Sequence, residues 1–435
     1  MAAALLLPAV CAYAQTSTTG TYGSFSPYSI YGVGEISKGG TAHSRSMGGV
    51  GIASRNRRFI NVSNPAAVAV RDTLAFMADF GLYEDNKIYA QGSKRGAENT
   101  FNVNNIVMSF PIWRSSAFLV GLSPFSDIGY SFSSKEQSDE LLGHVGNITY
   151  DSYGNGSLYQ LYASAGATFW KRLSVGAEFI YYFGKLDRNS NETFENSTYR
   201  SITYGTNLNL HGFTGKFGLQ YDQKLSPTMS MTIGATYRLG TKLRGYENHF
   251  AYASQSSVVD TLKSMTYTDT LSHSSNAPRI ADELGVGISL RGSDRWSVEF
   301  NYLRSDWRNS NFELRKGFAA TGKANFTSSV SQSFRAGFEL VPNRNDIRYY
   351  MKRCAYRGGI YYDQDYFLMN GNRVDSYGIT LGITFPVFRW YNGISLGVDM
   401  GRRGSSKGMM ISETYFKFVV GFNIHDIWFQ KPKYN

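Results

Sequence analysis

Apolar and polar residues alternate with a period of two along most of this chain. Past the first residues no unbroken apolar run approaches the ~18 residues that a membrane helix requires. In the stretch DSYGITLGITFPV, Tyr377, Ile379, Leu381, Ile383 and Phe385 share one side of an extended strand, and Gly378, Thr380, Gly382 and Thr384 the other. RWSVEFNYL repeats the pattern with Trp296, Val298, Phe300 and Tyr302 against Ser297, Glu299 and Asn301, and GISLGVDMG sets Ile394, Leu396, Val398 and Met400 against Ser395, Gly397 and Asp399. Such alternation requires a sheet with one apolar and one polar face.

Composition agrees. The 435 residues hold 31 Tyr, 29 Phe and 45 Gly against 10 Pro, with 18% charged residues, the balance of many strands joined by polar loops. A mean hydropathy of -0.30 resembles that of a soluble protein, yet a membrane barrel shows lipid only every second residue, so its mean hydropathy stays low. About fourteen alternating segments lie between Leu74 and Phe429, an even number that closes a barrel. Connections alternate in length: short at PIWRSSA, FWKRLS, QKLSPTMS, RGSDRW and VFRWYNG, long at 131–157, 185–211, 244–281 and 306–329. That asymmetry is expected of an outer-membrane barrel with short periplasmic turns, long external loops and both termini in the periplasm. A soluble sandwich or propeller alternates too. The tryptophans at 113, 170, 296, 307, 390 and 428, at or near strand ends, favour an interfacial belt and hence a bilayer.

The first fourteen residues, MAAALLLPAVCAYA, read as an export leader ending in Ala12-Tyr13-Ala14, with mature chain from Gln15; Cys11 offers the competing reading of a lipid-attachment site. Cleavage leaves Cys354 alone, which excludes an internal disulfide. The six histidines are dispersed, with no H-E-x-x-H pair and no G-x-S-x-G elbow, so the expectation is no enzyme, no metal and no cofactor. The net charge of +11 is spread through turns, loops and polar strand faces, which argues against nucleic acid and leaves lipopolysaccharide phosphates as counterions. DTL, at 72, 260 and 269, resembles an O-glycosylation acceptor of some bacteria.

The runs SPYSIYGVGEI, MGGVGIASR and NPAAVAV near the N-terminus, the strand GLSPFSDIGYSF, the pair AYRGGIYYD and YGITLGITFPV, and the ending FKFVVGFNIHDIWFQKPKYN resemble, in order and spacing, the FadL-type family of outer-membrane transporters for hydrophobic compounds. The resemblance implies three parts: leader 1–14, an N-terminal hatch 15–73 inside the lumen, and a transmembrane antiparallel β-barrel over 74–435. The hatch would carry the Asn-Pro-Ala box Asn64, Pro65 and Ala66. Physically, Pro65 removes a strand-edge donor and the small alanines allow close approach; an ordinary turn before the first strand is the competing reading. Arg55, Arg57 and Arg58 are expected to pair with lumen carboxylates such as Glu178, Glu299, Glu339 and Asp399, against the alternative of plain surface charge.

Pro124 lies inside the third strand and cannot donate to a ladder, so that strand should bulge or open at Ser123, Pro124 and Phe125. The resemblance makes this a lateral opening through which an apolar, fatty-acid-like substrate leaves the lumen. Two functions therefore stand: passive transport of a hydrophobic compound, or service as a non-transporting barrel in an outer-membrane assembly or surface-protein export complex alongside other outer-membrane proteins. The lumen discriminates between them. An apolar pocket favours transport, whereas ion pairs among Glu178, Arg238, Glu299, Arg335, Arg357 and Asp399 favour a fixed plug.

Overall fold

A computed structural model of the chain describes residues 22–71, 75–113, 115–196, 198–255, 258–259, 265–271, 276–293, 295–320, 324–388, 392–405 and 410–427. Fourteen antiparallel strands form a closed barrel. They are β1 Ala75–Gln91, β2 Lys94–Trp113, β3 Ser116–Lys135, β4 Ile148–Phe169, β5 Leu173–Phe194, β6 Ser201–Lys224, β7 Met229–Arg238, β8 Glu283–Gly292, β9 Trp296–Asp306, β10 Val330–Leu340, β11 Ala355–Met369, β12 Asn372–Phe388, β13 Asn392–Arg403 and β14 Ser412–Ile427. Each pairs with its neighbour in sequence, and β14 returns to β1 from Ala75↔Ile427 to Ala90↔Ser412. Closure removes the sheet edge, which in lipid would leave a row of unpaired backbone groups.

The two faces of the strands are inverted relative to a soluble sandwich. Tyr377, Ile379 and Leu381 are about half exposed, while Thr380 and Thr384, between and beside them, are buried. Likewise Phe300 is exposed and Glu299 is not. An apolar outside and a polar inside suit a wall that stands in hydrocarbon. The belt has a visible upper limit: outward residues on β5 change from Phe179, Tyr181 and Phe183 to Lys185 and Asp187.

Beyond that limit β3 to β6 continue as strands instead of ending, so much of the expected loops 131–157 and 185–211 is sheet that projects past the belt. The sheet is extended by a hairpin of Arg244–Gln255 and Met265–Thr270. Polarity outside the belt had the look of a loop because the alternation there no longer sets apolar against polar. Among the described tryptophans, Trp113 and Trp170 are largely exposed at the short-turn rim, whereas Trp307 is buried beneath the long loops, in an aromatic cluster rather than the expected belt. Trp390 and Trp428 lie outside the described residues. So do Leu74 and Phe429, and the DTL tripeptides at 72 and 260; at the third, Asp269 pairs with Arg315 and Leu271 is buried.

Placing a charge on the outward face tests the belt. Leu381→Arg, in mid-belt, should lower stability in phospholipid vesicles by roughly 2–4 kcal/mol, and Asn207→Arg, outward but past the belt, by no more than about 0.5 kcal/mol. Urea titration of the heat-modifiable folded band measures both, and equal losses would place the bilayer elsewhere.

Candidate functional site: an occupied lumen and a gap in the wall

The described segment ahead of β1 runs down the inside of the barrel. Its first residues sit toward the long-loop end, where Gly23 O accepts from Asn102 Nδ2 (3.1 Å) and Tyr89 OH donates to Phe25 O (2.7 Å). Pro27–Ile30 form a 3₁₀ turn capped by Ser26, with Tyr28 and Tyr31 buried among Phe326, Tyr366 and Phe367. Gly32 N donates to Phe318 O (2.8 Å), and Arg188 on β5 donates to the carbonyls of Gly32 and Gly317. Phe312 and Phe318 stack almost flat at 5.4 Å and Trp307 lies 4.9 Å from Tyr366, so the lumen beneath the long loops is filled by packed rings. At this cap burial would raise the Glu313 pKa, but bonds from Ser328 N–H and Tyr31 OH hold the carboxyl below its ordinary range.

Farther down, Gly48 N donates to Thr380 Oγ1 (2.7 Å), Ala53 N to Glu299 Oε1 (2.9 Å), and Gln220 Nε2 to Ile52 O (2.9 Å). Asn64 caps the turn Pro65–Ala69: its Oδ1 accepts from Ala66 N (3.0 Å) and its Nδ2 donates to Ile52 O (2.8 Å). Pro65 occupies the first turn position, where no N–H is required. The Asn-Pro-Ala box is thus a capped turn and also an internal contact, because Ala66 and Pro65 press on Gly176 so closely that a Cβ there would overlap Pro65. Gly337 and Gly359 receive Met47 and Gly48 in the same way. These inward glycines are the site residues the sequence reading missed; the signal was glycine at polar-face positions, visible at Gly378 and Gly382 but taken there as lumen lining.

Charge fixes the segment. Glu35 pairs with Lys87 (2.7 Å) and Arg403 (3.6 Å), and Arg403 also holds Asp365 (2.8 Å) and Glu413 (3.7 Å). Lys38 lies between Asp363 (3.5 Å) and Asp399 (3.7 Å), 3.2 Å above the Tyr361 ring, while Arg335 reaches Asp363 (3.4 Å). His43 faces Glu339, which Arg357 (2.8 Å) and Arg344 (3.6 Å) share. Arg238 pairs with Glu283 (3.7 Å), and Glu178 accepts from Ser164. Glu178, Arg238, Glu299, Arg357 and Asp399 are buried, and Arg335 partly so. A cavity of ≈ 300 Å³ remains, bordered by Lys38, Arg45, Glu178, Arg238, Asp363 and Asp399 among others.

The arginine cluster behaves otherwise than expected. Arg55 Nη1 donates to the Ser174 hydroxyl (2.7 Å), and Arg55 O and Arg58 O accept from Arg291 and Asn423. The carboxylates proposed for Arg55, Arg57 and Arg58 are held instead by Lys38, Arg344, Arg357, Ser164 and Ala53 N–H. The reason is position: the cluster lies at the short-turn rim, whereas those carboxylates stand higher in the barrel.

At Pro124 the wall departs from a regular ladder twice. The register with β4 shifts between Pro124 and Ser126, leaving Phe125 as a bulge. On the other side β2 and β3 pair only from Ile106↔Leu122 to Trp113↔Ser116, so above Leu122 they separate. The N-terminal segment occupies this gap: Glu35 and Ile36 pair with Asp127 and Ser126 as an added two-residue strand, Ser37 N donates to Phe125 O (2.9 Å), and Gly40 O accepts from Asn104 Nδ2 (3.0 Å). Ser123 accepts from Gln160 (3.0 Å), and Phe125 is buried 4.6 Å from the Tyr182 ring. The gap begins at the level of Tyr159 and Phe183, where the apolar belt ends. Among the described residues no group of three His, Cys, Asp or Glu is placed to hold a metal.

An apolar exterior, a closed fourteen-strand wall and an occupied lumen define an integral barrel of the outer-membrane type. The chain belongs to the BamG family, whose model matches residues 1–435. The FadL-type resemblance of the sequence motifs holds at the level of fold. The Pseudomonas putida toluene transporter TodX is 14% identical, with 91% of this chain and 100% of that one covered at a TM-score of 0.59. The Ralstonia pickettii toluene transporter TbuX is 16% identical (89% and 98% covered, TM-score 0.56), and a Pseudomonas aeruginosa FadL homologue is 10% identical (91% and 100%, TM-score 0.55). At such identities the likeness is one of fold. No curated protein matches significantly.

Two measurements check this geometry. In a Cys354→Ser background, Ser46→Cys with Gly397→Cys should form a disulfide, since a Gly397 Cβ would lie 3.1 Å from Ser46 Cβ; Ala66→Cys with Gly397→Cys should not, because Ala66 packs on Gly176. Arg403→Met, which takes the guanidinium from Asp365 and Glu413 and leaves Glu35 with Lys87 alone, should cost about 3–5 kcal/mol in urea titration.

Proposed function

We propose that this protein is a non-transporting barrel subunit of an outer-membrane protein assembly or surface-protein export machine, its short-turn rim facing the periplasm and its long-loop end the cell exterior. The observation that carries this reading is the filled gap. Where an apolar cargo would leave stands the chain's own Glu35–Ile36 strand, paired with β3 and tied through Glu35 to Lys87 and Arg403. The charged border of the remaining cavity and the BamG family support it further. On this reading residues 15–73 are a fixed plug rather than a moving hatch, the leader is removed, and outer-membrane lipid and lipopolysaccharide surround the wall.

One observation favours the rival, a passive transporter of hydrophobic compounds: the wall does part at Pro124, and the solved barrels of this fold include toluene transporters. Deletion separates the two. Cells without the protein should lose surface-exposed outer-membrane proteins severalfold, while uptake of radiolabelled toluene or oleate stays as in wild type. Reduced uptake with an unchanged outer-membrane proteome would instead establish transport.

A further inference from the structure

Described connections at the short-turn rim are tight, as at Trp170–Arg172 and Leu225–Thr228, with one exception: the chain between Leu340 on β10 and Ala355 on β11. This connection is folded, not slack. Val341 and Cys354 are buried at its roots, Asn343 N donates to Lys352 O (2.9 Å), and Asp346 Oδ1 accepts from Arg348 N (3.0 Å) and Tyr349 N (2.7 Å). A 3₁₀ turn, Tyr350–Arg353, closes it, and Lys352 and Arg348 lie over the Tyr349 ring. The result is a braced finger whose tip, Ile347, is 94% exposed, beside Arg348 and Lys352. Burying that tip removes apolar area from water at little ordering cost, because its backbone is already fixed.

Its attachment shows which way it faces. Arg344 pairs with Glu339, on the lumen side of β10, and Tyr350 OH donates to the carbonyl of Pro386, whose ring shares the lumen face of β12 with Thr380 and Thr384. Tyr356 OH, from the outward face of β11, donates to Met351 O (3.0 Å), so the finger is tied to both faces of the wall and stands off the end of the barrel with its tip exposed beyond the rim. The rim around it carries exposed Lys171, Arg172, Lys224 and Arg295. Within the finger Arg344, Arg348, Lys352 and Arg353 stand against Asp346 alone.

We propose that this finger docks an acidic periplasmic domain of a partner protein, with Ile347 seated in an apolar pocket and Arg348 and Lys352 against carboxylates. The inference rests on the assembly-subunit reading and supplies the chemistry of its partner. Charge on the rim sets encounter and specificity, and the apolar tip the residence.

The test uses the full chain in its own membrane. A photo-crosslinking amino acid replaces Ile347, cells are irradiated, and the adduct is identified. Expected is a protein adduct whose linked surface is acidic, reduced roughly tenfold by Arg348→Glu with Lys352→Glu and restored when the linked acidic residues of the partner are changed to Lys. The double variant must keep the heat-modifiable band, which separates lost docking from lost folding. A phospholipid adduct, no protein adduct, or a protein adduct indifferent to charge reversal overturns the proposal. The proteome and uptake of the deletion strain are read separately: an adduct with the expected charge response but no loss of surface proteins removes the assembly role and leaves the docking.

Discussion

Arg403 holds this structure's inside to its wall. Buried on β13, it faces Asp365 from β11, Glu413 from β14 and Glu35 from the N-terminal segment, while Glu35 in turn meets Lys87 from β1. Charges removed from water are tolerated only when each is matched, so the position of Glu35 is dictated once those strands are zipped together. Fixing Glu35 sets Ile36 on the edge of β3 and carries Ser24–Tyr31 up to the aromatic cap, where Tyr31 completes the packing of Phe312, Phe326 and Tyr366. From the same anchor the chain descends across glycines that let backbone lie on backbone.

The gap between β2 and β3 shows two constraints meeting. Pro124 and the Phe125 bulge turn β3 away from β2, and a parted ladder in hydrocarbon would leave unsatisfied N–H and C=O groups at several kcal/mol each. The parting begins near the level where the outward residues of β5 change from Phe183 to Lys185, and on the β3 side the added strand and Ser37 N–H meet its backbone groups, while the amides of Asn102 and Asn104 on β2 hold the carbonyls of Gly23 and Gly40. The kink at Pro124 thus gives the N-terminal segment a strand edge to pair with.

What the sequence made legible follows from which forces are local. Period-two alternation acts residue by residue, so the barrel, its strand number and the inward placing of Glu178, Arg238, Glu299, Arg335, Arg357 and Asp399 could be read directly. Partners could not: Glu339 and Asp399 were assigned to the Arg55 cluster because both are charged and inward, and height along the barrel axis is not written in alternation. The family resemblance was legible at the level of fold for a related reason. Motifs such as NPAAVAV and GLSPFSDIGYSF report requirements of the shared fold, a capped turn against glycines and a bulged third strand, which sequences of low identity can meet alike. The finger at Val341–Cys354 escaped notice because its polarity and proline resemble those of any turn, and its bracing by Asp346 exists only in three dimensions.

Whether this gap can open is a question of energy. To open the gap, Glu35–Ile36 must leave β3, giving up ladder hydrogen bonds worth about 1 kcal/mol each and separating a buried carboxylate from Lys87 and Arg403 at about 3–5 kcal/mol. A cargo that needs the open form would then bind with its intrinsic affinity reduced by roughly 10²–10⁴. The cavity beside the gap is bordered by Phe125, Tyr162 and Ile180 as well as by Lys38, Arg45 and Asp399. A ligand shifts such an equilibrium only through contacts it makes better in one state than in the other, so an apolar molecule would have to gain against those rings, in the open form, more than the ion pairs and ladder bonds it separates. The same cost makes the barrel and its N-terminal segment one rigid body, because any displacement of that segment must separate the Glu35 carboxylate from both of its cations.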